Sequence, residues 1–362
     1  MEVTSLTDRI RQRISLQGPL TIADYMYICL LDPDHGYYAT RDPLGTKGDF
    51  ITAPEVSQMF GEVVGLALAQ AWMDQGSPSP FTLAEAGPGR GTLMADLLRA
   101  TRGVPGFHDA MRLVLIEASP TLRNIQADTL ADYTPAWTTS FDDLPKRPLY
   151  FVANEFFDAL PIRQFQRQGQ GWAERVVTTD GDALTFALTT PLPLPELAHR
   201  LDDTADGDVV EVCPDAAPIA ATLGQRIATH GGAALIIDYG DWRSKGDTFQ
   251  AVQAHQPVSP LDAPGEADLT AHVDFEALAL AATPAKPSAM TPQGVFLERL
   301  GITARAEALA RRMSGDALQS HIAAHRRLTH PQEMGTLFKV LGLTPPDQPH
   351  LAGTTDPGRT TE

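Results

Sequence analysis

The sequence predicts an open α/β sheet with helices on its faces, and three observations support that fold class. A short, mostly apolar strand, Phe81–Glu85, runs directly into a turn with three glycines. Leucine and methionine then recur at helical spacing from Leu93 to Leu98. Further apolar runs predict more strands of the same sheet, at residues 112–117, 148–152 and 233–238. Strand, glycine turn and helix in this order place a ligand at a helix N-terminus in such sheets.

A long helix is predicted to precede the first strand. Thr52 and Glu55 fit a capping box, and Pro54 suits the first helical turn, where an N–H group is not needed. Apolar residues at helical spacing then continue to about residue 71. A helix N-terminus is positive and exposes backbone N–H groups. Thr52 and Glu55 are therefore candidates for ligand contact.

The glycine turn is the most specific local feature. Gly87, Gly89 and Gly91 carry no Cβ atom, so the backbone can turn tightly and lie against a bound molecule. The spacing G-x-G-x-G differs from the G-x-G-x-x-G of dinucleotide-binding folds, and Glu85 stands two residues ahead of it. A turn of this kind alone is as compatible with an ordinary loop as with a ligand site. The residues downstream decide between them.

Acidic residues follow the second and third predicted strands. Glu117 ends the second strand, where nucleoside-binding α/β folds place a carboxylate on the ribose hydroxyls, and its alternative is a solvated strand end. Asp142 and Asp143 follow a weak strand at residues 136–139. One of them is expected to accept a hydrogen bond from an adenine amino group and the other to be a turn residue. The sequence does not distinguish the two.

Polar and acidic side chains also cluster after the fourth and fifth strands. Asn154, Glu155 and Asp158 follow the fourth strand, and Asp238 ends the fifth. The carboxyl ends of the strands are where ligands bind in an open sheet. The alternative is a capped turn with Asn154 as a helix cap. The four residues are catalytic candidates, and Glu155 and Asp158 are expected to point toward the same edge as Glu85 and Glu117.

Changes in pattern predict the domain organisation. A helical extension is expected at residues 1–50 and the sheet domain at residues 51–343. A β insertion with hairpin turns is expected at about 162–208, and a loop-rich and helical insertion at about 244–330. Residues 344–362 are rich in Pro, Thr and Asp and are expected to be disordered.

Composition argues against several classes of function. Acidic residues outnumber basic ones by 45 to 28, which disfavours nucleic acid as a partner, because phosphate binding needs a basic surface. The two cysteines, without a C-x-x-C motif, argue against a zinc site or a disulfide framework, and no metal is predicted. No apolar run has the length of a membrane span, and no signal-peptide pattern follows the N-terminus. A cytoplasmic location is expected.

Four strings of residues occur in order along the chain and carry a family resemblance. They are Gly48–Glu55 (GDFITAPE), Glu85–Thr92 (EAGPGRGT), Asn154–Pro161 (NEFFDALP) and Asp238–Gly240 (DYG). Together they resemble the MidA-like family over nearly the whole chain. The resemblance implies a class I methyltransferase fold, with a seven-stranded, Rossmann-like sheet, an N-terminal helical extension, a β insertion and helical insertions. It also implies S-adenosylmethionine as the cofactor.

The resemblance further implies an activity and a setting. Mitochondrial members of the family assist the assembly of respiratory complex I through arginine methylation of a complex I subunit. A protein substrate, that subunit or its bacterial counterpart, is therefore expected for this chain. The expected location is the cytoplasm for a chain of bacterial type and the mitochondrial matrix for eukaryotic relatives. The oligomeric state and the methylation pattern of the product stay open.

On this interpretation, Gly87, Gly89 and Gly91 allow close approach of the backbone to the cofactor. Glu85 faces the methionine ammonium group, directly or through water, and Glu117 holds the ribose. An arginine acceptor arrives protonated, because its pKa lies above ~12.

Glu155 and Asp158 are expected to bind the guanidinium group of the acceptor by two hydrogen bonds, with Asp238 behind them. Two alternatives remain. One is an assembly factor that binds the nucleoside without catalysis, and the other is a nicotinamide-dependent oxidoreductase, which the glycine spacing disfavours.

Overall fold

The computed structural model describes residues 5–40 and 52–357, and these divide into two units. The smaller unit comprises the described residues up to 40 together with residues 158–216 and 243–274. The larger unit comprises residues 52–157, 217–242 and 275–357. Gly48 to Ile51, which belong to the first of the four family strings, lie outside the described residues.

The described residues form helices and strands in the following order. Up to residue 110 they are α1 (Leu6–Gln17), β1 (Leu20–Thr21), α2 (Ile22–Leu31), α3 (Tyr37–Thr40), α4 (Ala53–Val56), α5 (Gln58–Asp74), β2 (Phe81–Ala86), α6 (Thr92–Thr101) and α7 (Phe107–Ala110). From residue 111 they are β3 (Met111–Ile116), α8 (Pro120–Thr129), β4 (Ala136–Thr138), β5 (Leu149–Asn154), β6 (Arg163–Gln168), β7 (Gly171–Asp180), β8 (Ala183–Leu188) and β9 (Val209–Val212).

The remaining elements begin at residue 216. They are α9 (Ala216–His230), β10 (Gly232–Asp241), β11 (Gln250–Gln253), β12 (Gln256–Val258), β13 (Asp268–Thr270), β14 (Val273–Asp274) and α10 (Phe275–Ala281). They continue with β15 (Lys286–Pro287), β16 (Thr291–Pro292), α11 (Gln293–Arg299), α12 (Ile302–Ala310), α13 (Gly315–Thr329), α14 (Met334–Leu337) and β17 (Phe338–Thr344). Two 3-10 helices cover Phe141–Asp143 and Pro195–Leu201.

The sheet of the larger unit confirms the predicted fold class. Seven of the nine strands found in this sheet among the described residues follow one another in the order β15-β17-β10-β5-β2-β3-β4, and two short strands pair beside this path. Strands β10, β5, β2, β3 and β4 are parallel, and β17 runs antiparallel to β10. In this register Ala86 lies opposite both Ile116 and Ala153. The carboxyl ends of β2, β3 and β5 are therefore level, which brings the residues that follow them to one edge of the sheet.

The smaller unit contains the predicted antiparallel hairpins. Its five-stranded sheet has the order β1-β7-β6-β9, and β8 also pairs with β7. The turns at Gly169 and Gly181 connect β6 to β7 and β7 to β8, as the glycine signals indicate. A separate three-stranded sheet has the order β12-β11-β13. Leu6, Ile10 and Ile14 of α1 are buried in the core of this unit.

The helix predicted to begin at Thr52 is interrupted. The short helix α4 ends before Ser57, whose backbone is extended, and α5 starts anew with the Ser57 side chain accepting the N–H of Met59 at 3.3 Å. The predicted capping box is wrong, because the Thr52 side chain makes no capping hydrogen bond. The Glu55 carboxylate instead accepts a hydrogen bond from the hydroxyl group of Thr92.

The predicted insertion at about 244–330 is divided between the two units, with residues up to 274 in the smaller unit and residues 275–330 in the larger unit. The predicted disordered tail is wrong for residues 345–357, because they return to the core of this unit. Leu351 is only 3% exposed, and the carbonyl oxygen of Thr355 accepts the main-chain N–H of Ala289 at 2.8 Å. An isolated buried leucine among polar and proline residues gave no periodic signal.

Leu351→Ala should lower the free energy of unfolding by about 2–4 kcal/mol, the usual cost of truncating a buried leucine. The matched control is Leu337→Ala, because Leu337 is 50% exposed. Chemical denaturation monitored by circular dichroism measures both. Equal stability of the two variants would contradict the burial of the tail.

Within residues 5–40 and 52–357, no helix has both the length and the apolar character needed to cross a membrane. In the same described ranges, no group of three or more His, Cys, Asp or Glu side chains is arranged to hold a metal ion.

Candidate functional site

The glycine turn connects β2 to α6 with a left-handed backbone. Gly87, Gly89 and Gly91 have φ angles of 61°, 54° and 81°. The N–H of Gly87 donates to the carbonyl oxygen of Ile116 at 3.0 Å, which ties the turn to the end of β3. A Cβ atom placed on Gly87 would lie 3.0 Å from Cδ2 of Phe156. Both the φ angle and the neighbouring ring therefore favour glycine at position 87.

Glu85 lies near the end of β2 and is only 3% exposed. Its Oε2 atom is buried and has no hydrogen-bond partner among the described residues. Burial, followed by repulsion from Glu117, raises the pKa of Glu85 to about 8. A buried carboxyl oxygen without a partner is costly, so a ligand that brings a cation or an N–H donor would be stabilised here.

Glu117 follows β3 and is 9% exposed. Its Oε1 accepts the N–H of Ser119 at 2.8 Å, and its Oε2 accepts Nε2 of Gln126 at 3.1 Å. Burial raises the pKa of Glu117, and these two hydrogen bonds act in the opposite direction. A backbone hydrogen bond from Ala118 also lowers this pKa, so the Glu117 carboxylate is held by several donors at the end of β3.

Gln126 is a residue of this site that the sequence analysis did not single out. It is fully buried on α8, and its Nε2 also donates to the carbonyl oxygen of Gly89 at 2.8 Å. Its Oε1 accepts the indole N–H of Trp137 at 2.8 Å. The available signal was a polar side chain at a position of α8 where helical spacing, with Leu122 and Leu130, predicts an apolar one.

Asn154 and Glu155 lie where β5 ends. Glu155 has a φ angle of 53°, which is unusual for a residue other than glycine. Its Oε1 accepts the N–H of Ala53 at 3.0 Å and Nδ2 of Asn154 at 2.9 Å. Such strained backbone is frequent at functional sites, where the surrounding structure holds it in place. The Glu155 carboxylate thus connects β5 to the first residue of α4.

Asp238 fixes the loop that follows Glu155. It is fully buried in β10, and its Oδ2 accepts the N–H groups of Phe156 and Phe157 at 3.2 and 3.0 Å. Its Oδ1 accepts the N–H of Tyr239 at 2.9 Å. Both carboxylate oxygens therefore bind main-chain groups, and Asp238 acts on the backbone conformation next to Glu155.

The two aspartates near β4 differ in their contacts. Asp143 accepts the hydroxyl of Thr138 at 3.2 Å, which makes it part of the local turn. The carboxylate of Asp142 is exposed and makes no hydrogen bond within the described residues. Phe141 beside it has its ring centroid 5.9 Å from that of Phe156.

The other three predicted site residues are Glu55, Thr52 and Asp158. Glu55 accepts the Thr92 hydroxyl at 2.6 Å, which brings it to the first residue of α6, directly after the glycine turn. The carbonyl oxygen of Thr52 accepts the N–H of Glu55 at 2.9 Å. Asp158 belongs to the smaller unit, is 6% exposed and accepts the N–H of Ala271 through its carbonyl oxygen at 3.0 Å.

Comparisons with known proteins find similar chains. A family model described as "Putative S-adenosyl-L-methionine-dependent methyltransferase" matches residues 63–292. The human protein named protein arginine methyltransferase NDUFAF7, mitochondrial, is 38% identical over 373 aligned positions, which cover 95% of this chain and 84% of that protein. Its Drosophila melanogaster homologue is 36% identical, and the alignment covers 94% of this chain and 85% of that protein.

A solved structure is similar over almost the same length. It is a protein from Burkholderia thailandensis, crystallised with bound S-adenosyl-homocysteine, and it is 30% identical to this chain. The two superpose with a TM-score of 0.80 over 96% of this chain and 94% of that one.

Proposed function

The chain belongs to the MidA-like family of S-adenosyl-L-methionine-dependent methyltransferases, and we propose that it methylates arginine side chains of a protein partner. The chain is a methyltransferase that uses S-adenosylmethionine. Arginine as the acceptor is supported by the names of relatives that match nearly its whole length. The family match also favours this cofactor over the nicotinamide alternative.

The residues after β2 and β3 fit the cofactor. Glu85 offers a buried carboxyl oxygen with no hydrogen-bond partner among the described residues, which suits the methionine ammonium group. Gly87, Gly89 and Gly91 have no Cβ atoms and have left-handed backbone, which suits close approach of the cofactor to the main chain. Glu117 is our choice for the ribose hydroxyls. Asp142 is our choice for the adenine amino group because Asp143 binds Thr138.

Glu85→Gln should change how stability depends on pH. The pKa of Glu85 is about 8 in the folded protein, against an ordinary value of 4.5. As pH rises from about 5 to 8, the unfolded chain loses this proton first, so the folded state loses stability. The stability of the ligand-free variant relative to the wild type, measured by thermal unfolding, should therefore increase as the pH rises. Exposed Glu307→Gln is the control, and a parallel response of both variants would contradict the prediction.

The same carboxyl predicts a proton linked to binding. An ammonium group beside Glu85 favours its ionised form, so binding of S-adenosyl-homocysteine near pH 7 should release a proton. Calorimetry in buffers of different ionisation enthalpy measures that release. Glu85→Gln should abolish it.

Glu155 is our candidate for contact with the acceptor arginine. When bound, S-adenosylmethionine supplies an electrophilic methyl group on its sulfonium. The Glu155 carboxylate is held by Ala53 and Asn154 and can accept guanidinium N–H groups, which localises the positive charge away from the nitrogen that accepts the methyl group. Asp238 keeps the adjoining loop in place. Asp158 stays a sequence prediction for the second acceptor contact.

Methyl labelling tests the proposed function. A lysate from a strain lacking this chain is incubated with purified protein and isotopically labelled S-adenosylmethionine, and labelled peptides are identified by mass spectrometry. Methylated arginine on a defined protein is expected. Binding of S-adenosyl-homocysteine without any methyl transfer would instead support the alternative of a nucleoside-binding assembly factor.

A complex I subunit, or its bacterial counterpart, is the acceptor that the family resemblance suggests. Arginine methylation of complex I from cells with and without this chain tests that choice. We also infer a cytoplasmic location. Both cysteines, Cys29 and Cys213, are free, which suits a reducing compartment. The relatives' printed names place those proteins in mitochondria.

A further inference from the structure

Gln126 contacts two separate parts of the candidate cofactor site. Its Nε2 donates to the carbonyl oxygen of Gly89 and to Oε2 of Glu117. Its Oε1 accepts the indole N–H of Trp137. An indole N–H can only donate, so it must face the amide oxygen. The two hydrogens of the amide are therefore directed to Gly89 and Glu117, and the orientation of the group is determined by its neighbours.

This orientation decides which acceptor positions of Glu117 remain. Ser119 occupies one position on Oε1, and Gln126 occupies one on Oε2. A carboxylate oxygen can accept more than one hydrogen bond, so the carboxylate held in this way can still accept from the neighbouring hydroxyls of a ribose. Without the amide, the carboxylate would keep the N–H of Ser119 but would lose the connection from Glu117 to Gly89 of the glycine turn.

We propose that Gln126 is a positioning residue of the S-adenosylmethionine site, which holds the Glu117 carboxylate at a fixed place relative to the glycine turn. The inference rests on the proposed roles of Glu117 and the turn. Gln126 acts through Glu117 and Gly89 and needs no contact with the cofactor. Its loss should raise KM for S-adenosylmethionine and leave kcat nearly unchanged, because the side of the site that binds the acceptor keeps its contacts.

Gln126→Glu tests this by replacing the donor with a carboxyl beside Glu117. We expect S-adenosyl-homocysteine to bind about tenfold or more weakly by calorimetry, since a hydrogen bond to a charged group is lost. Gln126→Met, which is uncharged and of similar length, should weaken binding to a similar degree and covers the case in which the first variant does not fold. The control is Asn124→Asp, the same chemical change at an exposed position of α8, which should bind normally.

A double-mutant cycle with Glu117→Gln separates positioning from a purely structural role. If Gln126 acts through Glu117, Gln126→Met should cost less than about threefold in affinity once Glu117 is replaced. An equal loss of affinity from Gln126→Met in wild type and in Glu117→Gln would overturn the inference. It would also be overturned if both Gln126 variants bound normally while Glu117→Gln bound weakly. Wild-type affinity of Glu117→Gln itself would instead refute the proposed ribose site.

Discussion

Gly87→Val should bind S-adenosyl-homocysteine at least about a hundredfold more weakly than the wild type. Valine is branched at Cβ, and the φ angle of 61° at this position is strongly unfavourable for it. The added Cβ would also lie 3.0 Å from Cδ2 of Phe156. The turn must therefore change shape, which moves the main chain that we propose lies against the cofactor. Isothermal titration calorimetry measures the loss.

Gly181→Val is the matched control for this change. Gly181 has a φ angle of 56° in the turn between β7 and β8, and nothing lies within 4 Å of a Cβ atom placed there. The backbone penalty is similar in the two variants, and only Gly87→Val adds the close contact with Phe156. Only Gly87→Val should lose the ligand. A folded Gly87→Val protein with wild-type affinity would show that the glycine turn is not the cofactor site.

Glu155→Gln should lower kcat for methyl transfer by about 10²–10³, the usual loss when one electrostatic contact to a reacting group is removed. Glutamine has nearly the same shape and meets the same backbone cost at a φ angle of 53°. Its amide oxygen can still accept the N–H of Ala53. What it lacks is the negative charge that we propose localises the charge of the guanidinium group.

Three measurements make this prediction specific. Transfer of an isotopically labelled methyl group to the identified acceptor gives kcat. Calorimetry should give an affinity for S-adenosyl-homocysteine within about threefold of wild type. Thermal unfolding shows whether the variant is folded. Glu298→Gln, the same change at an exposed residue of α11, is the control and should retain full activity. Full methyl transfer by Glu155→Gln would refute its proposed role.

Local sequence patterns predict the elements that build the site. The apolar run before Gly87 becomes a fully buried strand, and Glu85 and Glu117 come at the ends of neighbouring strands. These features depend on runs of apolar residues and on glycine, which act over a few positions. Glu85 and Glu117 lie at the same edge of the sheet because their strands are parallel and in register.

Other features depend on contacts that short patterns do not contain. Glu55, predicted to cap its own helix, instead binds Thr92, 37 positions further along the chain. Gln126 matters because Trp137 donates to it and Glu117 accepts from it, whereas its own helix shows only a polar residue at an apolar position. Leu351 is buried by a core that forms from distant segments. Long-range packing overrides the local signal in each case.

The smaller unit is assembled from three stretches of chain separated by long intervening segments. Its N-terminal helices and its last strands are about two hundred or more positions apart, so a ribosome must synthesise residue 274 before the unit has all its parts. A nascent chain will therefore carry the exposed apolar face of α1 and α2 for many seconds, at the usual rate of about 5–20 residues per second. We therefore expect chaperones to bind that early segment. We also expect that no single continuous fragment of the chain will fold as either unit, because each unit needs three separate stretches.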